Sequence, residues 1–212
     1  MIRSPIYSLA WRALLVLLTV EIAIVSILRY FTNLQEPPPP IVANAFAHPF
    51  LAVHVAAGVI ALLVGPLQFV RRIRARRPGF HRAAGRIYVA ACAIGAPAGL
   101  MLALGTVAGP VAAAGFAIPA LLWPLFTWLG YRAAVEGRFD DHREWMLRSY
   151  AITATAITLR LMIPASALLG LEFVPAYRVI SWLAWTTNLA LFEYHIRRNR
   201  GSRRAFARLA NA

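Results

Sequence analysis

Lysine is absent from this sequence, cysteine occurs once, and acidic residues number only 8. Each scarcity excludes something. With Cys92 as the single cysteine, no intrachain disulfide can form, and cysteine usage says nothing about redox compartment. Charged residues make up 14% of the chain, against roughly 25% in a typical soluble domain. There is no long polar segment from which a second folded domain could be built, so 1–212 reads as a single domain. No Ser-His-Asp, phosphate-loop or zinc-protease pattern occurs either, which ranks hydrolytic enzymes low.

What the chain does have is apolar length. Hydrophobic residues are 60% of the total. A spanning helix needs roughly 20 mostly apolar residues. Six runs qualify: 9–30, 49–70, 83–107, 111–131, 145–169 and 174–194. The expected fold is all-α, a membrane-embedded bundle of about six transmembrane helices. The first run has Arg3 and Arg12 in front and Ala45-Phe46-Ala47 behind, features shared with signal peptides. Its apolar stretch is too long for an h-region, however, and the small-residue site lies far past its end, so an uncleaved span is expected.

The net charge of +14 raises the question of nucleic acid, but the arginines sit in short loops between apolar runs. Placing the N-terminus inside puts nineteen of the twenty-two arginines on the cytoplasmic side. Arg29 and Arg178 remain outside, and Arg160 falls within a span. The expectation is therefore a multi-pass protein of the bacterial inner membrane with both termini cytoplasmic. Its partners are the bilayer, anionic lipid head groups at the basic loops, and a further membrane protein, with no nucleic acid. The basic tail is 196–212 and the polar-stripe core about 48–195. Pro37 to Pro40 read as a stiff polyproline II spacer on the outer side.

Three spans carry a small, polar stripe. Successive helical residues turn by ~100°, which places His54, Gly58, Ala61, Gly65 and Gln68 within roughly ±40° of one line. His81, Gly85, Tyr88, Cys92, Gly95 and Gly99 form a second stripe, and His142, Met146, Ser149, Thr153 and Arg160 a third. Such faces point into a bundle, because small residues let helices approach and polar ones avoid lipid. Ordinary packing produces them as readily as a site does. Glu21 and Arg160 are charged groups at membrane depth, and such groups are usually paired or functional. They suggest a Glu21–Arg160 brace, or an Arg160 that holds an anionic group such as a haem propionate, a quinone-like head group or a carboxylate. Asn188 reads as a helix–helix hydrogen bond.

The histidines permit metal chemistry. A b-type haem takes two axial ligands at one depth, and imidazole supplies them. His81, His142 and His195 lie at the cytoplasmic end, His48 and His54 toward the outside. His81 with His142 forms an inner pair if the third and fifth spans are neighbours. No other span offers an outer histidine to match His54, leaving Met101 or Met162 as substitutes. Zinc or another transition metal could use the same inner pair with Asp140, Asp141 or Glu144. The run from Asp140 to Glu144 is equally a solvated charged loop.

The motifs His54-(x)3-Gly58, Gly65-Pro66-Leu67-Gln68-Phe69 and His81-Arg82-(x)2-Gly85-Arg86-Ile87-Tyr88 resemble a family of bacterial multi-pass membrane proteins of unknown function. The run from His142 to Tyr150 and Thr158-Leu159-Arg160 continue the match, over roughly 48–195. The resemblance implies a fold and a location but no activity. A weaker similarity links His54, Gly58, Gln68 and His81 with Gly85 to transmembrane b-type cytochromes that pass electrons from ascorbate. It implies one haem b, because a full set of four ligands at two depths is lacking. Three classes of function stay open: haem-linked electron transfer with Arg160 or Arg86 near the charged cofactor groups, a cofactor-free accessory or assembly protein, and a small proton-coupled transporter lined by Glu21, His54 and Arg160.

Overall fold

A bilayer core offers the backbone no hydrogen-bond partner, so apolar runs of this length must satisfy their own N–H and C=O groups as helices. The computed structural model describes the backbone of residues 5–32 and 39–210, and the side chains of 16–32 and 41–200. Among the described residues all regular structure is helical: α1 (Pro5–Phe31), α2 (Pro39–Val42), α3 (Ala47–Gln68), α4 (Arg71–Arg76), α5 (Pro78–Leu104), α6 (Pro110–Val135), α7 (Phe139–Thr153), α8 (Thr155–Leu168) and α9 (Phe173–Ala210). The protein is an all-α membrane bundle. α3, α5, α6 and the α7–α8 pair are each long and apolar enough to cross a membrane. α1 and α9 cover the first and sixth expected spans, and α9 runs on for 38 residues through most of the basic tail.

Local sequence sets the ends. Pro78 and Pro110 open α5 and α6, where a missing N–H costs nothing. Gly137 (φ 73) and Gly170 (φ 70) close α6 and α8 in the left-handed conformation that side chains disfavour. Both make the paired C-terminal bonds of a Schellman motif: Arg138 N donates to Ala133 O and Gly137 N to Ala134 O, then Leu171 N to Ser166 O and Gly170 N to Ala167 O. The expected polyproline II spacer is not what forms at its second half. Pro39 and Pro40 start the single turn α2, since proline suits the first positions of a helix. Pro37 and Pro38 lie outside the described residues.

α5 packs between α3 and α6, α7 lies against α6 and α9, α8 against α9, and α1 against α3 and α8. Small residues make these approaches close. A Cβ on Gly95 would come 2.8 Å from that of Ala57, and one on Gly65 would meet the Tyr150 ring at 2.5 Å. The outward faces are apolar, with Ile60, Leu63, Ile94, Leu121, Leu125 and Trp128 all exposed, as befits contact with lipid. The up-and-down path gives the bundle a basic end and a far end. Arg200 on α9 bonds Glu144 at the start of α7, which brings both to the basic end beside α4. Asn44 Nδ2 donates to Leu102 O at 2.7 Å and Arg178 Nε to Ala108 O at 2.7 Å, closing the far end.

Candidate functional site

The interior polar groups sort into three levels. At the basic end, His81 stands on the first turn of α5 and His142 on the first turn of α7. The two imidazoles are close enough to act on each other electrostatically, with Arg74 and Arg82 also within reach of His81. His142 Nδ1 lies 2.8 Å from Gly130 O. A carbonyl only accepts, so Nδ1 is the donor in this bond and Nε2 is the nitrogen left for another partner. His81 Nδ1 is buried with no partner. The Gln68 side chain approaches the same end, where its Oε1 lies 3.3 Å from the point a Gly85 Cβ would occupy and its Nε2 is buried without an acceptor. His195 is exposed and bonds only Asn199, at 2.8 Å.

Two of the three acids considered as additional metal ligands pair with arginines. Asp141 pairs with Arg138 at 2.5 Å. Glu144 pairs with Arg200 and lies 4.0 Å from Arg148, which reaches Glu193 at 2.8 Å and caps the Trp145 ring at 4.8 Å. These contacts clamp α7 to α9. Among the described residues, no group of three His, Cys, Asp or Glu gathers at one point. Glu136, in the exposed turn between α6 and α7, has its carboxyl held below the usual range by the Arg138 and Arg132 guanidiniums.

The second level lies seven residues further along both helices, about 10 Å deeper. Tyr88 Oη meets Ser149 Oγ at 2.9 Å and Thr153 Oγ1 at 2.7 Å. Trp123 Nε1 donates to Thr153 Oγ1 at 2.9 Å, and Thr127 Oγ1 meets Ser149 Oγ at 2.7 Å. Tyr88 is 1% exposed and Ser149 0%, so this knot is sealed, and each hydroxyl in it has a partner. The stripes on α5 and α7 anticipate Tyr88, Ser149 and Thr153. They miss Trp123 and Thr127, which sit four apart on an otherwise apolar α6.

The third level is at the far end. His54 Nδ1 lies 2.8 Å from Gly95 O, with its ring against Gly99 and edge-on to Trp123. Arg160 on α8 interacts electrostatically with His54, and also with Arg29 and Tyr30 of α1. Tyr30 in turn acts on Tyr177 of α9. Asn188 accepts from Thr158 at 2.9 Å, the helix–helix bond expected of it.

The Glu21–Arg160 brace does not form. α1 buries Thr19, Ile22, Ala23 and Ser26, and Glu21 lies on the opposite side of the helix, exposed. Two charges at comparable depth suggest a pair only if both face inward, and the rotation of α1 prevents it. The same rotation removes Glu21 from any interior path with His54 and Arg160.

A protein-family profile described as "Predicted membrane protein (DUF2306)" matches residues 51–196. The chain belongs to this family. The DUF2306 match begins inside α3, ends in α9, and so contains all three levels except the α1 residues Arg29 and Tyr30. No curated protein and no solved structure matches the chain. The similarity to b-type cytochromes therefore gains nothing from the comparisons, and membership of DUF2306 defines a membrane protein without a stated activity.

Proposed function

We propose that this protein binds one b-type haem at the basic end of its bundle and serves electron transfer in the bacterial inner membrane, with that end cytoplasmic. The observation that carries this reading is the His81–His142 pair, two imidazoles on different helices within electrostatic reach of each other. The donor set suits the group. Haem iron needs only axial ligands from the protein, whereas structural zinc takes four protein ligands and catalytic zinc three. Two imidazoles alone meet the first requirement.

The surrounding residues have definite tasks. Gly130 O fixes the His142 tautomer, the kind of second contact that orients a ligating imidazole. Arg74 and Arg82 offer guanidinium donors to the propionates. The Tyr88–Ser149–Thr153 knot keeps water out of the bundle beneath. Bound haem would supply one-electron chemistry whose potential depends on burial and the axial ligands. At the same end Arg71, Arg72, Arg74, Arg76 and Arg77 are exposed, and each contributes about 1 kcal/mol toward an anionic cytoplasmic surface.

An absorption spectrum in mild detergent, as isolated and after dithionite, tests the proposal. A Soret band that shifts on reduction, and is lost in His81→Ala and in His142→Ala while both variants stay monodisperse, is the expected result. A featureless spectrum from cells supplied with haem would overturn it and leave a cofactor-free accessory role as the better account.

A further inference from the structure

The 30-residue span Phe139–Leu168 is broken midway, and its two halves are held very differently. α7 ends at Thr153, α8 begins at Thr155, and Ala154 stands between them. Ile157 N donates to Ala154 O at 2.9 Å, the three-residue spacing of a tightened turn. On the near side of that turn α7 is fixed. Thr153 meets Tyr88 and Trp123, Ser149 meets Tyr88 and Thr127, and Arg148 reaches Glu193. Met146, Ser149, Ala151, Ile152 and Thr153 are all buried.

α8 has far less to hold it. Ile157 is its one buried residue and meets Ile22 and Leu62 beside the turn. Further out, Leu159, Met162 and Ile163 lie against a row of Ala176, Ile180 and Ala184 on α9. Among the described residues, Thr158 Oγ1 to Asn188 Oδ1 of α9, at 2.9 Å, is the one hydrogen bond from α8 to another element. Arg160 and Ser166 bond to Ala156 O and Ile163 O within α8 itself. At the outer end Gly170 takes φ 70, and a Cβ there would meet nothing within 4 Å. Thr155 Oγ1 and Asn188 Nδ2 are buried and unpaired, although Asn188 is only 8% exposed. Buried polar groups are nearly always bonded, so both call for a partner that this arrangement does not supply.

We propose that α8 is a hinged half-helix that turns about Ala154 and is latched shut by the Thr158–Asn188 hydrogen bond. Hinges are a few element-terminal residues between bodies that keep their shape. The fixed body here is α7 with α6 and α9: Arg178, Trp182 and Trp185 of α9 donate to Ala108 O, Val111 O and Gly115 O at the start of α6. α8 has 14 residues, so a change of about 20° at the turn carries its outer end through about 7 Å. Opening uncovers the row from Ala176 to Ala184 and lets water reach Thr155 Oγ1 and Asn188 Nδ2. None of these groups belongs to the His81–His142 pair, so the hinge stands or falls apart from the haem proposal.

Thiol reactivity toward a small water-soluble reagent tests it, in the full-length Ala184→Cys protein in lipid nanodiscs. Ala184 is 0% exposed beneath α8, and Cys92, also 0% exposed but sealed by the hydroxyl knot, is the internal reference. The thiol at position 184 is expected to react about tenfold or more faster than Cys92. Adding Thr158→Val removes the latch at nearly constant shape, and should raise that rate severalfold while leaving Cys92 unchanged. Equal rates at the two thiols in both backgrounds overturn the proposal. So does a rate at position 184 that Thr158→Val does not change. Should Ala184→Cys fail to fold, spin labels on the exposed pair Leu104→Cys/Leu168→Cys, compared with Leu104→Cys/Val179→Cys on fixed elements, carry the test. The pair that includes α8 should give the broader distance distribution, shifted further by Thr158→Val. Equal widths in the two pairs, with no response to Thr158→Val, overturn the hinge.

Discussion

The two ends of the bundle use arginine in opposite ways. At the basic end most arginines are exposed, and those that turn inward find acids: Arg148 reaches Glu193 and Glu144, and Arg200 reaches Glu144. At the far end Arg160 gives an N–H to Ala156 O of its own helix and Arg29 Nε is buried, and neither forms an ion pair with a described acid. The first arrangement explains itself, because charge is paired or solvated where water is available. The second places charge at membrane depth, where such groups are usually paired or functional.

The comparison can be broken from either side. The largest expected effect is at the basic end: His81→Ala or His142→Ala removes the haem spectrum entirely, while Arg29→Gln/Arg160→Gln leaves it. Loss of the spectrum in both sets would mean that the two ends of the bundle are coupled. Next comes packing between the ends. Gly65→Ala drives a methyl into the Tyr150 ring and should cost about 1–3 kcal/mol in chemical or thermal unfolding. Gly58→Ala, which meets nothing within 4 Å, should not destabilise the protein. Equal losses at the two glycines would contradict the helix faces described above.

Smaller effects sharpen the picture. Tyr88→Phe removes the hydroxyl that joins Ser149 and Thr153, and about 1 kcal/mol of stability should go with it. The smallest effect is expected at Glu21. If that carboxylate braced Arg160, Glu21→Gln would cost about 3–5 kcal/mol. Because Glu21 faces outward, the change should stay within about 0.5 kcal/mol, measured by the same unfolding assay. A large loss there would restore the brace and undo the argument that Arg160 lacks an acid.

Which parts of this were legible in the chain follows from what each signal contains. The stripe of Gly65 and Gln68 on α3, and of Tyr88, Cys92 and Gly95 on α5, is a property of one helix, and it turned inward as periodicity requires. Gly58 shares the α3 line, yet a Cβ there would meet nothing within 4 Å, because a stripe says which way a residue faces and not how close a neighbour stands. Trp123 and Thr127 were invisible because the middle of α6 is otherwise apolar and offers no polar stripe. Their role exists only against α7. Arg29 looked like an end-of-span residue outside the bundle, yet its Nε is buried, and no spacing rule reports that.

By itself, then, the sequence determined that this is an all-α membrane protein, where its helices run, which faces of three of them turn inward, and which end is basic. Those follow from hydrophobic length, the 100° step and arginine placement, all local quantities. Only the tertiary structure decided that Tyr88 meets Ser149 and Thr153, that Asp141 and Glu144 are taken by arginines, and that Glu21 faces away from the bundle. These depend on the rotation of each helix about its own axis relative to its neighbours. That rotation is set by packing summed over many contacts, not by any single stretch of the chain.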